Sequence, residues 1–303
     1  MKNGTSPGSD GFTVEFFKFF WNDMGTLLVR AINESFRKES LSSPQKEGLI
    51  TLLPKGDKPR QFLKNWRPIT LLNVSYKIAS GCIANRIKRV LPNVIHSDQT
   101  GFINGRCISE ITRLLYDIIH YTEKRNITGL LLLIDFEKAF DSVSWSFIKK
   151  TPSFFRFGPD IKKWIEIFYK NIKSCVSAWF QIERGCRQGD PLSPYIYLLC
   201  AEILAIRIRQ SSGVTEIKIK DVEYLISQFA DDTSIYLDGS RESFENVIKI
   251  LTEFVLWSGL KINYDKSQVV WLGSQKGSAT VFLPHLKLRL NSARFSVLGI
   301  QQT

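Results

Sequence analysis

The sequence has 303 residues, of which 44% are hydrophobic, so it can bury a sizeable core in one large domain or two lobes. Its formal net charge of +12 suggests an anionic partner, with nucleic acid as the default; a merely soluble basic protein is the alternative that charge alone does not exclude. The 5 cysteines are scattered and form no Cys-x-x-Cys pair. This argues against a zinc site and against the disulfide framework of a secreted protein, and favours a reducing, intracellular setting.

The first part of the chain alternates helical and β-prone patterns. The predicted elements are, in order, a helical stretch from Val14, strands at Gly48–Lys55 and from Trp66, and helices at Val74–Leu91 and Ile108–Lys124. Pro92 is expected to end the helix that begins at Val74.

A continuous apolar run, Gly129–Ile134, ends abruptly at Asp135. A run of this length between polar residues is typical of a strand buried on both faces, whereas a signal peptide or membrane span needs a longer run or other flanks. An aspartate at the end of a buried strand is costly unless it is paired or binds a metal. Asp135 is therefore either emerging into solvent or part of a charged site.

Further helices are predicted after Asp135. They lie at Val143–Lys149, at Phe155–Ile172 with a break near Gly158, at Tyr195–Arg209 and at Phe244–Trp257. Asp141 and Ser142 are expected to cap the first of these helices, and Gly259 to end the last.

Two β-prone runs, Val222–Ile226 and Ser234–Leu237, flank Asp231 and Asp232 and predict a hairpin with both aspartates at its tip. Carboxylates this close repel each other, so one takes a proton or a cation lies between them. An ordinary solvated turn is the alternative. If Asp135 lies beside this tip, the three carboxylates form a two-metal site of the kind used in phosphoryl transfer.

Five short motifs resemble those of a reverse transcriptase from a LINE-type, non-long-terminal-repeat retrotransposon. They are Leu133–Asp141 (motif A), Arg187–Pro194 (motif B), Phe229–Asp232 (motif C), Gly259–Asn263 with Lys266 and Ser267 (motif D), and Phe295–Ile300 (motif E). The motifs follow the family's order, and the resemblance extends from Pro7 to Ile300.

The resemblance implies an α/β (α+β) right-hand polymerase fold with an antiparallel palm sheet. Residues 1–128 would be mainly fingers and residues 129–303 mainly palm, with motifs A to E. Because nothing follows motif E, we expect no thumb in this chain, which would be part of a longer open reading frame.

The resemblance also assigns roles to individual residues. Asp135, Asp231 and Asp232 would be the catalytic metal ligands, Phe136 would contribute to the metal site, and the cofactor would be Mg²⁺ with Mn²⁺ as an alternative. The residues that it implies for nucleotide binding are Lys55, Arg67, Phe140, Gln188, Gly189 and Lys266. Phe140 would lie beneath the sugar and exclude a 2′-hydroxyl; its alternative role is core packing.

The implied partners are an RNA template, a DNA primer and deoxynucleoside triphosphates, with no membrane and a nuclear site of action. A related palm polymerase, such as a group II intron maturase or an RNA-dependent RNA polymerase, is an alternative, although Phe140 argues against the latter. A third interpretation is a decayed transposon remnant that binds nucleic acid without catalysis. It is supported by the end of the chain at motif E and by the stretch Ser174–Gly185, where part of the family's longer hairpin before motif B is expected to be missing.

Overall fold

A computed structural model describes residues 1–220, 222–290, 295–297 and 300–302, the last two segments as backbone only. The helices are α1 (Val14–Phe19), α2 (Trp21–Arg37), α3 (Ser43–Lys46), α4 (Val74–Val94), α5 (Ile108–Arg125), α6 (Ala139–Ser142), α7 (Trp145–Phe154), α8 (Pro159–Phe168), α9 (Ser193–Arg209) and α10 (Arg241–Ser258). The strands are β1 (Glu47–Pro54), β2 (Trp66–Leu72), β3 (Gly129–Ile134), β4 (Lys173–Cys175), β5 (Trp179–Gln181), β6 (Ile217–Ile219), β7 (Val222–Tyr224), β8 (Ile226–Phe229), β9 (Asp232–Leu237), β10 (Gln268–Leu272), β11 (Arg289–Leu290), β12 (Phe295–Val297) and β13 (Ile300–Gln302).

The chain divides into two units. The first comprises Met1–Val90 and Val143–Ile196, and the second comprises Leu91–Ser142 and Tyr197–Thr303. The mixed α/β architecture predicted from the sequence is confirmed. The assignment of residues 1–128 to fingers and 129–303 to palm stays a prediction.

The first unit is built on a sheet with the strand order β2-β1-β4-β5. β1 and β2 form a long antiparallel hairpin whose distal half is exposed, and β4 adds to β1 in parallel. β4 and β5 pair across the short loop 176–178, so a hairpin does form in the stretch ahead of motif B where part of one was predicted to be missing. It ends in an exposed strand that carries Trp179 and Phe180.

The second unit is built on the sheet β11-β10-β3-β9-β8, in which β3 lies between β9 and β10 and is antiparallel to both. Every residue of β3 is buried, which confirms the predicted strand with two covered faces. Leu115 and Ile118 of α5 pack against Leu131 and Leu133 on one of these faces. This cluster fixes β3, and with it the position of the residue that follows Ile134.

Several predicted boundaries are wrong. Helix α4 continues past Pro92 to Val94; a proline there removes one backbone donor but does not stop the last turn. The cap of α7 is Ser144, whose hydroxyl accepts a hydrogen bond from the Phe147 N–H, and not Asp141 with Ser142. Ser142 instead donates to the Glu137 and Lys138 carbonyls.

The strand before the two aspartates is also shorter than predicted. On this side of β9 the paired strand is Ile226–Phe229, and the Leu225 carbonyl accepts from the Tyr236 N–H, while Val222–Tyr224 forms a separate antiparallel pair with β6. In the motif E segment, β12 pairs antiparallel with β13, and Leu298 and Gly299 lie outside the described residues.

Candidate active site

The tip of the β8–β9 hairpin carries Asp231 and Asp232, as predicted from the sequence. Phe229 pairs with Asp232, so Ala230 and Asp231 form a two-residue loop and Asp232 begins β9. Ala230 adopts a φ of 55°, a left-handed conformation that residues with a Cβ rarely adopt. The loop therefore requires support from outside the hairpin.

The strand register brings Asp135 to the same place. Ile134, the last residue of β3, pairs with Thr233 of β9. Because the two strands are antiparallel, Asp135, which follows Ile134, lies beside Asp232, which precedes Thr233. The end of β3 and the start of β9 therefore bring the three aspartates together at one edge of the sheet.

Burial, and after it this crowding, raises the pKa of Asp231 and of Asp232. Burial raises the pKa of Asp231, a hydrogen bond from its own backbone N–H partly opposes the rise, and Asp135 adds to it. The pKa of Asp232 rises to about 6, first through removal of its carboxyl from water and then through repulsion by Asp231 and Asp135. Asp232 still keeps part of its surface in contact with solvent.

The motif D segment holds the backbone of Asp135. The Asp135 N–H donates to the Ser267 hydroxyl at 3.1 Å, and the Asp135 carbonyl accepts from the Asn263 N–H at 2.8 Å. Ser267 is fully buried. Sequence reasoning assigned no role to Ser267 or Asn263, because their contacts with Asp135 arise only when distant segments fold together.

Lys266 lies beside the same carboxylate. Its Nζ is 3.6 Å from Asp135 Oδ2, which is shielded from solvent and accepts no hydrogen bond among the described residues. The structure thus brings Lys266, predicted to bind nucleotide, next to the predicted metal ligands. A flexible, partly exposed lysine can exchange this contact for another anion.

The donor set fits a hard divalent cation. Carboxylate oxygens are the ligands that Mg²⁺ prefers, and an Asp135 oxygen lies shielded without a donor beside carboxyls of raised pKa. Phe136 is buried and offers only its backbone carbonyl as a ligand. As the side chains stand, no group of three His, Cys, Asp or Glu residues in the described part of the chain is arranged to hold a metal ion.

Phe140 is half-buried in the second unit. Its ring stacks on buried Tyr197 with centroids 4.3 Å apart, and the ring of Phe102 meets it nearly at a right angle at 6.4 Å. One face of Phe140 is thus covered by protein, which is compatible with both roles predicted for it.

The remaining predicted nucleotide-binding residues lie in the first unit, on the β1–β2 hairpin and on the motif B turn. Arg67 is exposed on β2, and Lys55 follows β1 with its Nζ 2.9 Å from the Lys64 carbonyl. The Gln188 carbonyl accepts a hydrogen bond from the Thr70 N–H at 2.7 Å. Gly189 has a φ of 111°, and a Cβ there would lie 2.5 Å from the Thr70 carbonyl oxygen, so the turn requires glycine.

A buried polar network under motif B was missed by sequence reasoning. The Tyr76 hydroxyl donates to Asp190 Oδ2 at 2.8 Å, and the Arg187 guanidinium carbon lies 4.5 Å from the centre of the Tyr76 ring. The other Asp190 oxygen accepts from the Leu192 N–H. Burial raises the pKa of Tyr76 well above its usual range, so the hydroxyl stays a donor. The spacing of Tyr76 from motif B gives no sequence signal for this contact.

A sequence profile described as reverse transcriptase (RNA-dependent DNA polymerase) matches residues 53–301. This chain belongs to the reverse transcriptase family. The match includes the three aspartates and every predicted nucleotide-binding residue, and it confirms the family predicted from the motifs.

Several relatives of this reverse transcriptase domain carry the names of transposons or retrotransposable elements. It is 33% identical over 283 residues to a Xenopus laevis protein named transposon TX1 uncharacterized 149 kDa protein, covering 91% of this chain and 21% of that protein. It is 24% identical to a Pol polyprotein from the type-1 retrotransposable element R2 of Popillia japonica, covering 99% and 42%. It is 27% identical to a probable RNA-directed DNA polymerase from the X-element of Drosophila melanogaster, covering 66% and 23%. The chain thus spans less than half the length of these relatives.

A solved structure of telomerase from Candida albicans, in complex with a fragment of telomeric RNA, shares the fold. The likeness has a TM-score of 0.56 at 12% identity and covers 96% of this chain and 48% of that one. It confirms the predicted right-hand polymerase fold. Among the described residues, no helix is both long enough and apolar enough to cross a membrane.

Proposed function

We propose that this chain catalyses the template-directed addition of deoxynucleotides to the 3′-hydroxyl of a DNA primer paired with an RNA template. The observation that carries the proposal is the convergence of Asp135, Asp231 and Asp232 at the end of β3 and the tip of the β8–β9 hairpin. The excess of basic side chains supports binding to the phosphate backbone of nucleic acid.

Asp135 and Asp231 are the proposed main ligands of divalent cations, with Asp232 as a supporting acid and the Phe136 carbonyl as a further donor. Mg²⁺, or Mn²⁺ in its place, would lower the pKa of the primer hydroxyl and neutralise charge on the triphosphate and the leaving pyrophosphate. No protein nucleophile is required, because the primer hydroxyl itself forms the new bond.

Cationic side chains have a different task, which is to hold the polyphosphate. Lys55 and Arg67 are proposed to contact phosphate oxygens, which arginine matches with its planar fork of donors. Lys266, now 3.6 Å from Asp135, would neutralise negative charge near the leaving pyrophosphate.

The remaining roles concern the nucleotide itself. Gln188 and Gly189 would lie against the incoming nucleotide or the template strand, with the motif B turn held by the Thr70 backbone. Phe140, braced by Tyr197, would present its ring to the sugar and leave no room for a 2′-hydroxyl.

Primer extension on an RNA template tests the proposal. We expect extension by the unmodified chain with Mg²⁺ or Mn²⁺, and none with Asp231→Asn, while affinity for the primer–template stays nearly unchanged because it depends on basic side chains. Asp117→Asn is the matched control, since it removes an exposed carboxylate that pairs with Arg113 on α5.

Two results would refute the proposal: extension that persists in excess chelator, and full activity of Asp231→Asn. Binding of primer–template by a chain that never extends it would favour the non-catalytic remnant. Extension with ribonucleotides in preference to deoxynucleotides would favour an RNA polymerase.

A further inference from the structure

The loop that carries Asp231 is held by one buried side chain from a distant segment. Gln99 is almost fully buried, and its Oε1 accepts hydrogen bonds from the Ala230 N–H at 2.8 Å and the Gly101 N–H at 2.9 Å. Its Nε2 donates to the Ala230 carbonyl at 3.3 Å. Gln99 thus bonds both backbone polar groups of the residue immediately before Asp231.

The segment around Gln99 runs alongside strand β8 and fixes this contact. The Gln228 N–H donates to the Asp98 carbonyl at 2.8 Å, and the Thr100 N–H donates to the Gln228 carbonyl at 2.9 Å. Residue 101 is glycine for a steric reason, because a Cβ there would lie 2.5 Å from the Ala230 nitrogen. Gln99 therefore meets Ala230 across a close approach of two backbones.

Ala230 is the residue that most requires such support. Its left-handed conformation is unfavourable for a residue with a Cβ, and short hairpin loops normally place glycine or asparagine there. A strained residue persists only where its surroundings determine its conformation. Gln99 supplies that constraint from outside the hairpin.

We propose that Gln99 is a positioning residue for catalysis, which holds Ala230 in its left-handed conformation and thereby aims the Asp231 carboxylate. The inference rests on the proposed function. It assigns Gln99 no contact with substrate or metal, so its loss should slow the reaction and leave nucleotide affinity unchanged.

Gln99→Met tests the role, because methionine keeps the length and burial of the side chain and removes the hydrogen bonds. We expect kcat for primer extension to fall by roughly 10- to 100-fold, the cost of a misplaced catalytic group, with little change in the KM for deoxynucleotide. Amide exchange in a peptide spanning residues 226–237 should become faster.

Asn246→Leu is the control of matched chemistry. Asn246 also bonds a backbone carbonyl, that of Gly213, at 2.8 Å, beyond the end of β9 opposite Asp232, where the Asp238 N–H donates to the Thr215 carbonyl. The Asn246→Leu variant should leave kcat, and amide exchange in residues 226–237, unchanged. Equal losses of kcat in this control and in Gln99→Met would overturn the proposal, as would wild-type kcat and exchange in Gln99→Met.

Gly101→Ala tests the same contact with Gln99 in place, since the added methyl group would push Ala230 away. If Gln99→Met does not fold, this variant decides: lower kcat with faster exchange supports the proposal, and unchanged values overturn it. The exchange measurement also separates the two proposals. If the chain shows no extension activity at all, the proposed function is wrong. Slow amide exchange at Ala230 that depends on Gln99 would still show that Gln99 holds the loop.

Discussion

Replacing Asp232 with asparagine would test whether carboxylate crowding governs metal binding. The pKa of Asp232 is raised to about 6 by burial and by its two aspartate neighbours, so a proton and a cation compete for the same group. In every molecule in which Asp232 carries a proton, a metal ion must displace that proton in order to bind. The affinity for a metal ion should therefore depend on pH around the pKa of Asp232, which is about 6.

The size of the effect follows from the pKa. With a value of about 6, roughly half of the Asp232 carboxyls carry a proton at pH 6 and only about a tenth at pH 7. The apparent affinity for Mg²⁺ or Mn²⁺ should then fall about tenfold between pH 7 and pH 5 and change little above pH 7. Asp232→Asn should bind metal more weakly, because a ligand is lost, but with a shallower dependence on pH.

Calorimetric titration with Mn²⁺ at pH 5, 6 and 7, in buffers of different ionisation enthalpy, measures both affinity and protons released. The unmodified chain should release about half a proton from Asp232 at pH 6, and the variant should lack that part. Equal affinities at pH 5 and pH 7, with no proton release at pH 6, would refute the reasoning.

The same shift predicts the stability of the metal-free protein. The folded pKa of Asp232 lies above its ordinary value of 3.8, so the folded state holds the proton more tightly and the charged form disfavours folding. This cost is fully present above pH 6 and is relieved as the pH falls toward 4. Asp232→Asn should therefore raise the urea midpoint at pH 7 and have little effect below pH 4. A lower midpoint at pH 7 would contradict this sign.

Three further outcomes are expected. Phe140→Ala should raise the use of ribonucleotides relative to deoxynucleotides in primer extension, and an unchanged ratio in an active variant would assign Phe140 to packing on Tyr197 alone. Tyr76→Phe should cost about 1–3 kcal/mol in urea unfolding, because it leaves a buried Asp190 oxygen without its donor; a cost below about 0.5 kcal/mol would contradict this. Affinity for primer–template should fall linearly with salt on a double logarithmic plot, since the net charge of +12 acts on phosphates, and a flat plot would contradict an electrostatic origin.

The sequence predicted the parts of the site that have a local signal. The apolar run of β3 ended at Asp135 as expected, because burial on both faces leaves a continuous pattern. The Asp231–Asp232 pair interrupted two β-prone runs, and the structure has the hairpin tip there. Helix α10 ended at Gly259, whose φ of 75° is the left-handed end typical of glycine.

The parts that were missed depend on tertiary contacts. Ser267 lies 132 positions from Asp135 and Gln99 lies 131 from Ala230, so no periodicity or spacing connects them. The helix cap at Ser144 was missed for another reason. Asp141, Ser142 and Ser144 are all good capping residues, and only the short helix α6 decides among them.

These contacts divide the site into backbone support and side-chain charge. The backbone of Asp135 is held by Ser267 and Asn263, and the residue before Asp231 is held by Gln99. The carboxylates themselves find little compensation: Asp135 Oδ2 has no hydrogen-bond donor among the described residues and only the Lys266 amine at 3.6 Å. Burial and the neighbouring aspartates raise the pKa of Asp231 and Asp232, and the same uncompensated negative charge attracts a cation. Changes in the supporting residues should therefore alter the rate at a given metal occupancy, whereas changes in the aspartates should alter the occupancy itself.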